Sequence, residues 1–300
     1  MTQRYFYIQF LLTGADPTTF LILSLRSFNT LVDMKRRKEH RQVFELIKNC
    51  DLVLEVIDGR LPLLSRVSSI ESHLQKIGIP LIIVLNKCDL VPQHICEHTK
   101  RIFSHEYPTV YISARKRQGT KILRQKILKH VGKKGEILIS VVGIPNTGKS
   151  SLLNILRGKH VVPTGLKPGV TRYLQTIRIS QKILMYDTPG VIPFDHPDEE
   201  LQVFMGASSI DKLEDPLKTA FYFLDRIRNH YSEGFIKRYE IPSLTMDNEA
   251  ILIHIAHQRR MFLKGAQPNI IEAAKVLMRE FTSGVFPYWE KIGKKKESIN

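Results

Sequence analysis

The sequence contains few cysteines and no long apolar run, and both shortages exclude classes of protein. Its three cysteines are an odd number without metal-ligand spacing. This argues against a disulfide-stabilised scaffold or a cysteine-ligated zinc site and favours a reducing compartment. No stretch reaches the roughly 18 uninterrupted apolar residues that a membrane-spanning helix needs. We therefore expect a soluble protein.

Acidic residues are also scarce, with 29 Asp and Glu against 45 Lys and Arg and a formal net charge of +16. The basic excess is clustered, since residues 115–135 contain nine Lys or Arg and no acid. This pattern predicts a polyanionic partner such as a nucleic acid. The alternative is a solvated basic surface without a specific partner.

Charge of either sign is nearly missing from the first 32 residues, which carry only Arg4, Asp16 and Arg26. Three interpretations of residues 1–33 stay open: a transit peptide, an added strand or helix, or translation that begins at Met34. The expected location is the cytoplasm, or the mitochondrial matrix if this N-terminal extension is a transit peptide.

Short apolar runs recur between helical or loop segments. They occupy residues 52–57, 81–85, 110–112, 137–142 and 183–186. Strands that alternate with helices predict an α/β fold with a doubly wound, mainly parallel sheet, whose ligands bind at the carboxyl ends of the strands. Residues 174–179 alternate apolar and polar side chains, which favours an edge strand. The basic stretch 34–49 has an apolar helical face and predicts a helix.

Strand patterns end near Pro197, and the remaining sequence predicts a small C-terminal all-helical domain. Asp215-Pro216 is typical of a helix start. A second helix is expected from Glu249 to Leu263 and a third from Asn269 to Gly284. The predicted boundaries are 1–33 for the extension, 34–197 for the α/β domain, 198–290 for the helical domain and 291–300 for a basic tail.

The sequence from Gly143 to Ser150 matches the phosphate-binding loop pattern and lies between an apolar run and a helical pattern. Glycines let backbone N–H groups wrap the phosphates, and the following helix N-terminus adds positive potential. Lys149 is expected to reach the terminal phosphates and Ser150 to ligate Mg²⁺. The other expected nucleotide contacts in this region are Pro145, Asn146, Thr147, Gly148 and Ser151.

A second strand end carries residues that select a guanine base, in the sequence Asn-Lys-Cys-Asp at 86–89. The Asp89 carboxylate can accept hydrogen bonds from N1–H and the exocyclic amine of guanine, whereas adenine offers a different donor pattern. Asn86 is expected to tie the loop together, and the Lys87 stem to cover the base plane.

The remaining candidates lie at two other strand ends and in one loop. Ser113 and Ala114 end a strand where backbone amides can meet the guanine carbonyl oxygen. Asp187 follows another strand and is expected to hold Mg²⁺ through water, while the Gly190 N–H faces the γ-phosphate. Thr171 is the candidate for the second protein ligand of Mg²⁺.

With these motifs, the chain resembles the YlqF/RbgA family of circularly permuted GTPases. Ordinary GTPases place the phosphate loop before Asn-Lys-x-Asp and Ser-Ala, whereas here those two motifs come first. The similarity extends over about residues 34–290 and includes Asp58-Gly-Arg60 after the first predicted strand. It implies a P-loop GTPase fold that binds GTP or GDP with Mg²⁺, hydrolyses GTP and assists maturation of the large ribosomal subunit.

The resemblance also implies a partner and catalytic details. The helical domain is expected to bind ribosomal RNA or a large-subunit precursor, with the protein acting as a monomer under control of the nucleotide. Val191 stands where many GTPases have a water-positioning glutamine, so slow intrinsic hydrolysis is expected. Asn146 matches an asparagine that supports a bound K⁺ in related GTPases. The expected catalytic residues are Lys149, Thr171, Gly190 and Asn146.

Two other functions stay open. One is a GTP-dependent RNA-binding module whose hydrolysis is incidental. The other is a regulatory GTPase with a non-ribosomal protein or membrane partner, which the basic stretch at 115–134 and the lack of an anchor disfavour. A metabolic kinase is disfavoured because Asp89 selects a base and no acceptor-substrate site is recognisable.

Overall fold

The computed structural model of the chain describes residues 43–131, 135–157, 163–164, 176–186, 190–191 and 198–292. The described residues from Leu46 onward belong to one compact unit, and residues 43–45 belong to another. Within the predicted helix at 34–49, residues 43–47 are helical. The predicted extension, the end of the basic tail, Thr171 and Asp187 lie outside the described residues.

The described strands form one mainly parallel sheet, as predicted. They are β1 (Leu52–Asp58), β2 (Leu81–Asn86), β3 (Thr109–Tyr111), β4 (Ile137–Gly143), β5 (Pro163–Thr164), β6 (Thr176–Ser180), β7 (Ile183–Tyr186) and β8 (Gly190–Val191). Their order is β3-β2-β1-β4-β7-β6-β5, and β8 pairs with the end of β4. The pairs β5-β6 and β6-β7 are antiparallel.

One strand prediction was wrong. The alternating run at 174–179 was expected at the sheet edge, but β6 lies between β7 and the two-residue strand β5. An alternating pattern indicates a strand whose two faces differ, and an inner strand paired antiparallel on both sides can also have such faces.

The central strand β1 is buried along its whole length, which is why its sequence is almost continuously apolar. The helices of the α/β part are α1 (Ser68–Ile77), α2 (Gln93–Phe103), α3 (Thr120–Val131) and α4 (Lys149–Arg157). Helices α3 and α4 pack on one face of the sheet, where Leu123 and Leu152 join Leu54 and Val56 in a single apolar core.

The C-terminal part contains α5 (Glu199–Phe204), α6 (Pro216–Asn229), α7 (Glu233–Tyr239), α8 (Asn248–Gln258) and α9 (Ile270–Ser283). The predicted start of α6 is present, since the Asp215 side chain accepts hydrogen bonds from the N–H groups of Leu217 and Lys218. Asn269 caps α9, and Gly284 ends it in the left-handed conformation. Leu61 and Ile144 from the α/β part belong to the core of this helical part.

The second predicted helix was too long. It was expected to reach Leu263, but α8 ends at Gln258. Arg260 adopts a left-handed conformation with φ 56°, and Phe262 then pairs with Pro268 in an antiparallel bridge. The apolar residues after Gln258 therefore belong to a tight hairpin.

A buried carboxyl group lies in the middle of β1. Glu55 is fully buried on the sheet face opposite Leu54 and Val56, and its Oε1 accepts a hydrogen bond of 2.7 Å from the Val67 N–H. Burial and the negative charge of nearby Glu71 raise the pKa of Glu55 to about 8. The folded protein therefore holds a proton on Glu55 at pH values where the unfolded chain releases it.

Glu55→Gln is expected to stabilise the protein, and more so at high pH. Because the folded-state pKa of Glu55 is raised, its contribution to the free energy of unfolding falls as the pH rises from the unfolded-state value toward about 8. Urea unfolding at pH 5 and pH 9 should show an added stabilisation of about 1 kcal/mol or more at pH 9. The half-exposed Glu106 supplies the control, and an equal effect of Glu106→Gln would contradict the assignment.

Candidate functional site

Four loops that follow neighbouring strands meet at one edge of the sheet. Strands β2, β1 and β4 are parallel neighbours, and β3 is parallel to β2. Their carboxyl ends therefore coincide, and Asp58 at the end of β1 lies beside Asn86 at the end of β2. Each loop begins where the sequence placed a candidate motif.

Asn86 joins three of these loops through one buried side chain. Its Nδ2 donates to the Thr147 carbonyl oxygen in the phosphate loop at 2.9 Å. Its Oδ1 accepts from the Ala114 N–H after β3, also at 2.9 Å. Because the side chain is 2% exposed, both bonds are shielded from water. Asn86 thus holds the Asn-Lys-Cys-Asp turn, the Ser-Ala loop and the phosphate loop in fixed relative positions.

Asp89 and Ser113 lie against each other although 24 residues separate them in the chain. The Ser113 hydroxyl donates to Asp89 Oδ1 at 2.7 Å and accepts from the Lys116 N–H at 3.0 Å. The turn that carries Asp89 is a 3₁₀ helix over Cys88–Leu90, and Lys87 precedes it in the left-handed conformation. This bond fixes the orientation of the carboxylate that is predicted to bind guanine.

The phosphate loop between β4 and α4 has no room for a side chain at Gly148. Gly148 has φ +94°, and a Cβ built there would collide with the Asn86 amide. The buried Thr147 hydroxyl donates to the Ile144 carbonyl oxygen at 3.1 Å. A glycine at this position lets the loop pack against Asn86, and its backbone N–H groups are those that a P-loop fold uses to bind phosphates.

Lys149 begins helix α4, and its Nζ donates to the Ile144 carbonyl oxygen of its own loop at 2.6 Å. Burial lowers the pKa of Lys149 to about 8, and the positive charge of Lys87 adds to this effect. A bound polyphosphate would raise that pKa again, because an adjacent negative charge stabilises the ammonium form.

Nucleotide affinity is therefore expected to fall as the pH rises through 8. Below pH 8 Lys149 is charged before and after binding, whereas above it the free protein must take up a proton to bind. Isothermal titration with GDP should show about a fourfold weaker affinity at pH 8.5 than at pH 7. Lys149→Arg keeps its charge throughout, so the same pH dependence in that variant would contradict the explanation.

The first turn of α4 presents the oxygen donors that a magnesium ion would use. Ser150 and Ser151 are exposed there, and Pro145 is half-buried at the start of the loop. A hydroxyl at the N-terminus of this helix suits Mg²⁺, which prefers oxygen ligands and retains several waters. The structure thus fits the predicted role of Ser150, while the other two predicted ligands lie outside the described residues.

Gly190 lies beside the start of the phosphate loop. Strand β8 runs parallel to the end of β4, so that Gly190 pairs with Val142, and Val191 pairs with Gly143. This places the predicted γ-phosphate-sensing glycine next to the loop that is predicted to bind phosphates.

Comparison with known proteins identifies the family. The model of the 50S ribosome-binding GTPase family matches residues 138–256. An uncharacterized GTP-binding protein of Methanocaldococcus jannaschii is 38% identical over 251 residues, which cover 83% of this chain and 66% of that protein. Nucleolar GTP-binding protein 2 of Yarrowia lipolytica is 32% identical over 257 residues, 83% of this chain and 50% of the relative.

Two solved structures share the fold. GDP-bound YlqF superimposes with a TM-score of 0.64 and 21% identity, covering 83% of this chain and 98% of YlqF. GNP-bound YlqF from T. maritima gives a TM-score of 0.59 and 24% identity over 82% of this chain and 94% of that structure. In the present chain the Asn-Lys-Cys-Asp turn and the Ser-Ala loop, both predicted to bind guanine, precede the phosphate loop. The chain belongs to a family of GTP-binding proteins and has the fold of the GTPase YlqF.

The chain spans about two thirds of the archaeal relative and half of the nucleolar relative. No helix in the described part of the chain is long and apolar enough to cross a membrane.

Asn146, the residue predicted to support a bound K⁺, makes a contact that was not predicted from the sequence. It adopts a left-handed conformation, and its Nδ2 donates to the carbonyl oxygen of Gly206, just after α5. The phosphate loop therefore touches the helical part directly. An amide that donates through nitrogen can still offer its oxygen to a cation, so this contact is compatible with the predicted K⁺ site.

Sequence reasoning missed a buried ionic network beside the Asn-Lys-Cys-Asp turn. Lys87 Nζ contacts Asp58 Oδ2 at 2.8 Å, and Arg60 Nη2 contacts the same oxygen at 2.8 Å. Although burial opposes ionisation, these two cations hold the pKa of Asp58 below its ordinary value. The only signal in the sequence was Asp-Gly-Arg at the end of an apolar strand.

The described basic residues of the 115–135 cluster and of the helical part divide into two groups. Four have structural partners: Arg124 donates to two carbonyl oxygens at the end of α4, Lys126 to the Thr109 carbonyl oxygen, and Arg238 and Arg259 to Glu280. Others are exposed, namely Arg115, Lys116, Arg117, Lys121, Lys129, Lys237 and Arg260.

Proposed function

We propose that this protein hydrolyses GTP and uses the bound nucleotide to control its association with the large ribosomal subunit or its precursor. The observation that carries the proposal is the Asn86 side chain, which bonds both to the phosphate loop and to the loop beside Asp89. A single side chain thereby sets the spacing between base and phosphate sites. A nucleotide that fills both sites stabilises the arrangement of the loops.

In the proposed mechanism, Asp89 accepts hydrogen bonds from guanine, and the backbone near Ser113 and Ala114 donates to the guanine carbonyl oxygen. Backbone N–H groups of the phosphate loop bind the phosphates, and Lys149 neutralises part of their charge. Mg²⁺, when bound, neutralises charge that develops on the phosphates. Its proposed ligands are the side chains of Ser150 and Thr171, and Asp187 would hold it through water.

Hydrolysis by the isolated protein should be slow. The Gly190 N–H is proposed to bind the γ-phosphate, but the next residue, Val191, cannot orient water through a polar group. Extra charge at the transition state would then come from K⁺ held with Asn146 or from the particle. A rate that increases with K⁺ in place of Na⁺ would support the first source.

The proposed partner is ribosomal RNA in a large-subunit particle. A formal charge of +16 and the exposed basic residues at 115–129 suit a polyanion. The matching family is described as a 50S ribosome-binding GTPase, and several relatives are nucleolar GTP-binding proteins. We propose that the protein acts as a monomer in the cytoplasm, with the mitochondrial matrix as the alternative location.

Co-sedimentation with large subunits tests this function. Binding should be tighter with a non-hydrolysable GTP analogue than with GDP, and it should weaken steeply with salt because each neutralised phosphate releases counterions. Single-turnover GTP hydrolysis should accelerate when the particles are added. Nucleotide-dependent binding without faster GTP hydrolysis would instead support the alternative of an RNA-binding module. Binding that changes with neither the salt concentration nor the nucleotide would contradict the proposed partner.

A further inference from the structure

The guanine-specificity loop, defined as Asn86–Asp89, is packed against the end of the helical part. The residue after this loop, Leu90, contacts Gly284, the left-handed residue that ends α9. A Cβ built on Gly284 would approach Leu90 Cδ1 to 2.5 Å. The helix therefore ends directly on the Leu90 side chain, and only glycine fits both the backbone conformation and the space.

The C-terminal segment, defined as residues 284–290, makes a second contact with this loop. Trp289 is buried in one cluster with Val91 and Cys96, against which Cys88 of the loop also packs. Its ring stacks on Tyr231 with centroids 3.6 Å apart. Because the sequence has one tryptophan, its fluorescence reports on this cluster alone.

Arg60 links the loop and the helical part through buried polar contacts. It donates through Nε and Nη2 to both oxygens of Asp58, at 3.1 and 2.8 Å, and Asp58 in turn pairs with Lys87. On the other side, Arg60 Nη1 donates to the Phe281 carbonyl oxygen at 2.8 Å. The Arg60 carbonyl oxygen accepts from the Glu290 N–H at 2.9 Å.

These contacts use all three guanidinium nitrogens of Arg60. Arg60 is 3% exposed, and a buried charge is tolerated only when partners replace its hydration. A lysine at this position would keep the charge but lack the planar fork that reaches Asp58 and Phe281 together. The position of Lys87 is consequently tied to the docking of α9 and the C-terminal segment.

We propose that Arg60 is a positioning residue for guanine selection, which makes the preference for guanine depend on docking of the C-terminal segment. The proposal rests on the proposed assignment of Asn86–Asp89 as the loop that binds the base. By linkage, guanine binding changes the environment of Trp289. The helical part thus senses the base through Arg60, in addition to any signal from the γ-phosphate.

The test compares Arg60→Lys with Arg66→Lys. Arg66 is a suitable control because it also forms a bidentate pair, with Glu71, in the same connection between β1 and α1. In Arg60→Lys, affinity for GDP should fall about fivefold. Affinity for ADP, measured with millimolar ADP, should stay unchanged. Arg66→Lys should retain the wild-type ratio of the two affinities.

Trp289 fluorescence distinguishes a positioning role of Arg60 from a purely structural one, because a purely structural role would leave the fluorescence response to nucleotide unchanged. In the wild type, saturating GDP and GTP should alter the emission equally and saturating ADP should not. Arg60→Lys should lose this response while circular dichroism shows a folded protein. If that variant does not fold, Leu90→Ala, which trims the contact with Gly284 and leaves the ion pairs in place, should show the same losses.

The outcomes separate this inference from the proposed function. A wild type that does not prefer GDP over ADP would overturn the assignment of the guanine-specificity loop. A wild type that prefers GDP, combined with an unchanged preference and Trp289 response in Arg60→Lys and Leu90→Ala, would overturn only the role of Arg60.

Discussion

Asp89→Asn is expected to lower GTP affinity by about tenfold to a hundredfold and to shift preference toward xanthine nucleotides. The Ser113 hydroxyl fixes the Asp89 carboxylate at 2.7 Å, so an asparagine would be held in the same place. Its amide would then present a donor to the exocyclic amine of guanine, which is also a donor. A lost bond to a charged group costs about 1.5 to 3 kcal/mol.

Competition of GTP and xanthosine triphosphate against a labelled nucleotide measures this shift. Asp211→Asn is the control, because it removes a carboxylate whose side chain is 71% exposed and that has no place in the proposed site. If Asp89→Asn bound GTP as tightly as the wild type, the guanine assignment would be wrong.

Gly148→Ala should reduce nucleotide affinity by more than a hundredfold. The added methyl group would collide with the Asn86 amide, and the left-handed backbone adds about 1 to 2 kcal/mol of strain. Displacement of Asn86 would break its bonds to Thr147 and Ala114, at roughly 1 to 3 kcal/mol for each group left unpaired. The three loops would then lose the spacing that a nucleotide needs.

Gly78→Ala provides a matched control for the strain alone. Gly78 also has a positive φ, of +70°, but nothing lies within 4 Å of a Cβ built on it. Both variants should lose comparable stability from backbone strain, while only Gly148→Ala should lose GDP binding in isothermal titration. Wild-type affinity in a folded Gly148→Ala protein would show that the Asn86 contact does not organise the site.

The sequence was sufficient to predict the main parallel strands and the place of the candidate site. Fully buried parallel strands need continuous apolar runs, so β1, β2 and β4 were recognisable, and their boundaries differ from the predicted ones by a single residue. Since parallel strands end at a common edge, motifs far apart in sequence, such as those at Asn86 and Gly148, were expected to meet.

The errors concern features that depend on partners distant in sequence. The apolar residues after Gln258 fit a longer helix locally, but Met261 donates to the Ala256 carbonyl oxygen and accepts from the Asn269 N–H in the hairpin. The ionic network of Asp58, Arg60 and Lys87 could not be predicted either, because the sequence does not show which charged side chains are buried together. For the same reason, the basic run at 115–134 did not show that Arg124 donates to two carbonyl oxygens at the end of α4.

Equilibrium competition on the wild-type protein tests the central claim most directly, namely that the loops joined by Asn86 form a guanine-nucleotide site. Unlabelled GDP and ADP would compete for the site against a labelled GDP in the presence of Mg²⁺. The account predicts that ADP is at least about a hundredfold weaker, because it leaves the Asp89 carboxylate without its donors. Equal displacement by GDP and ADP would contradict it.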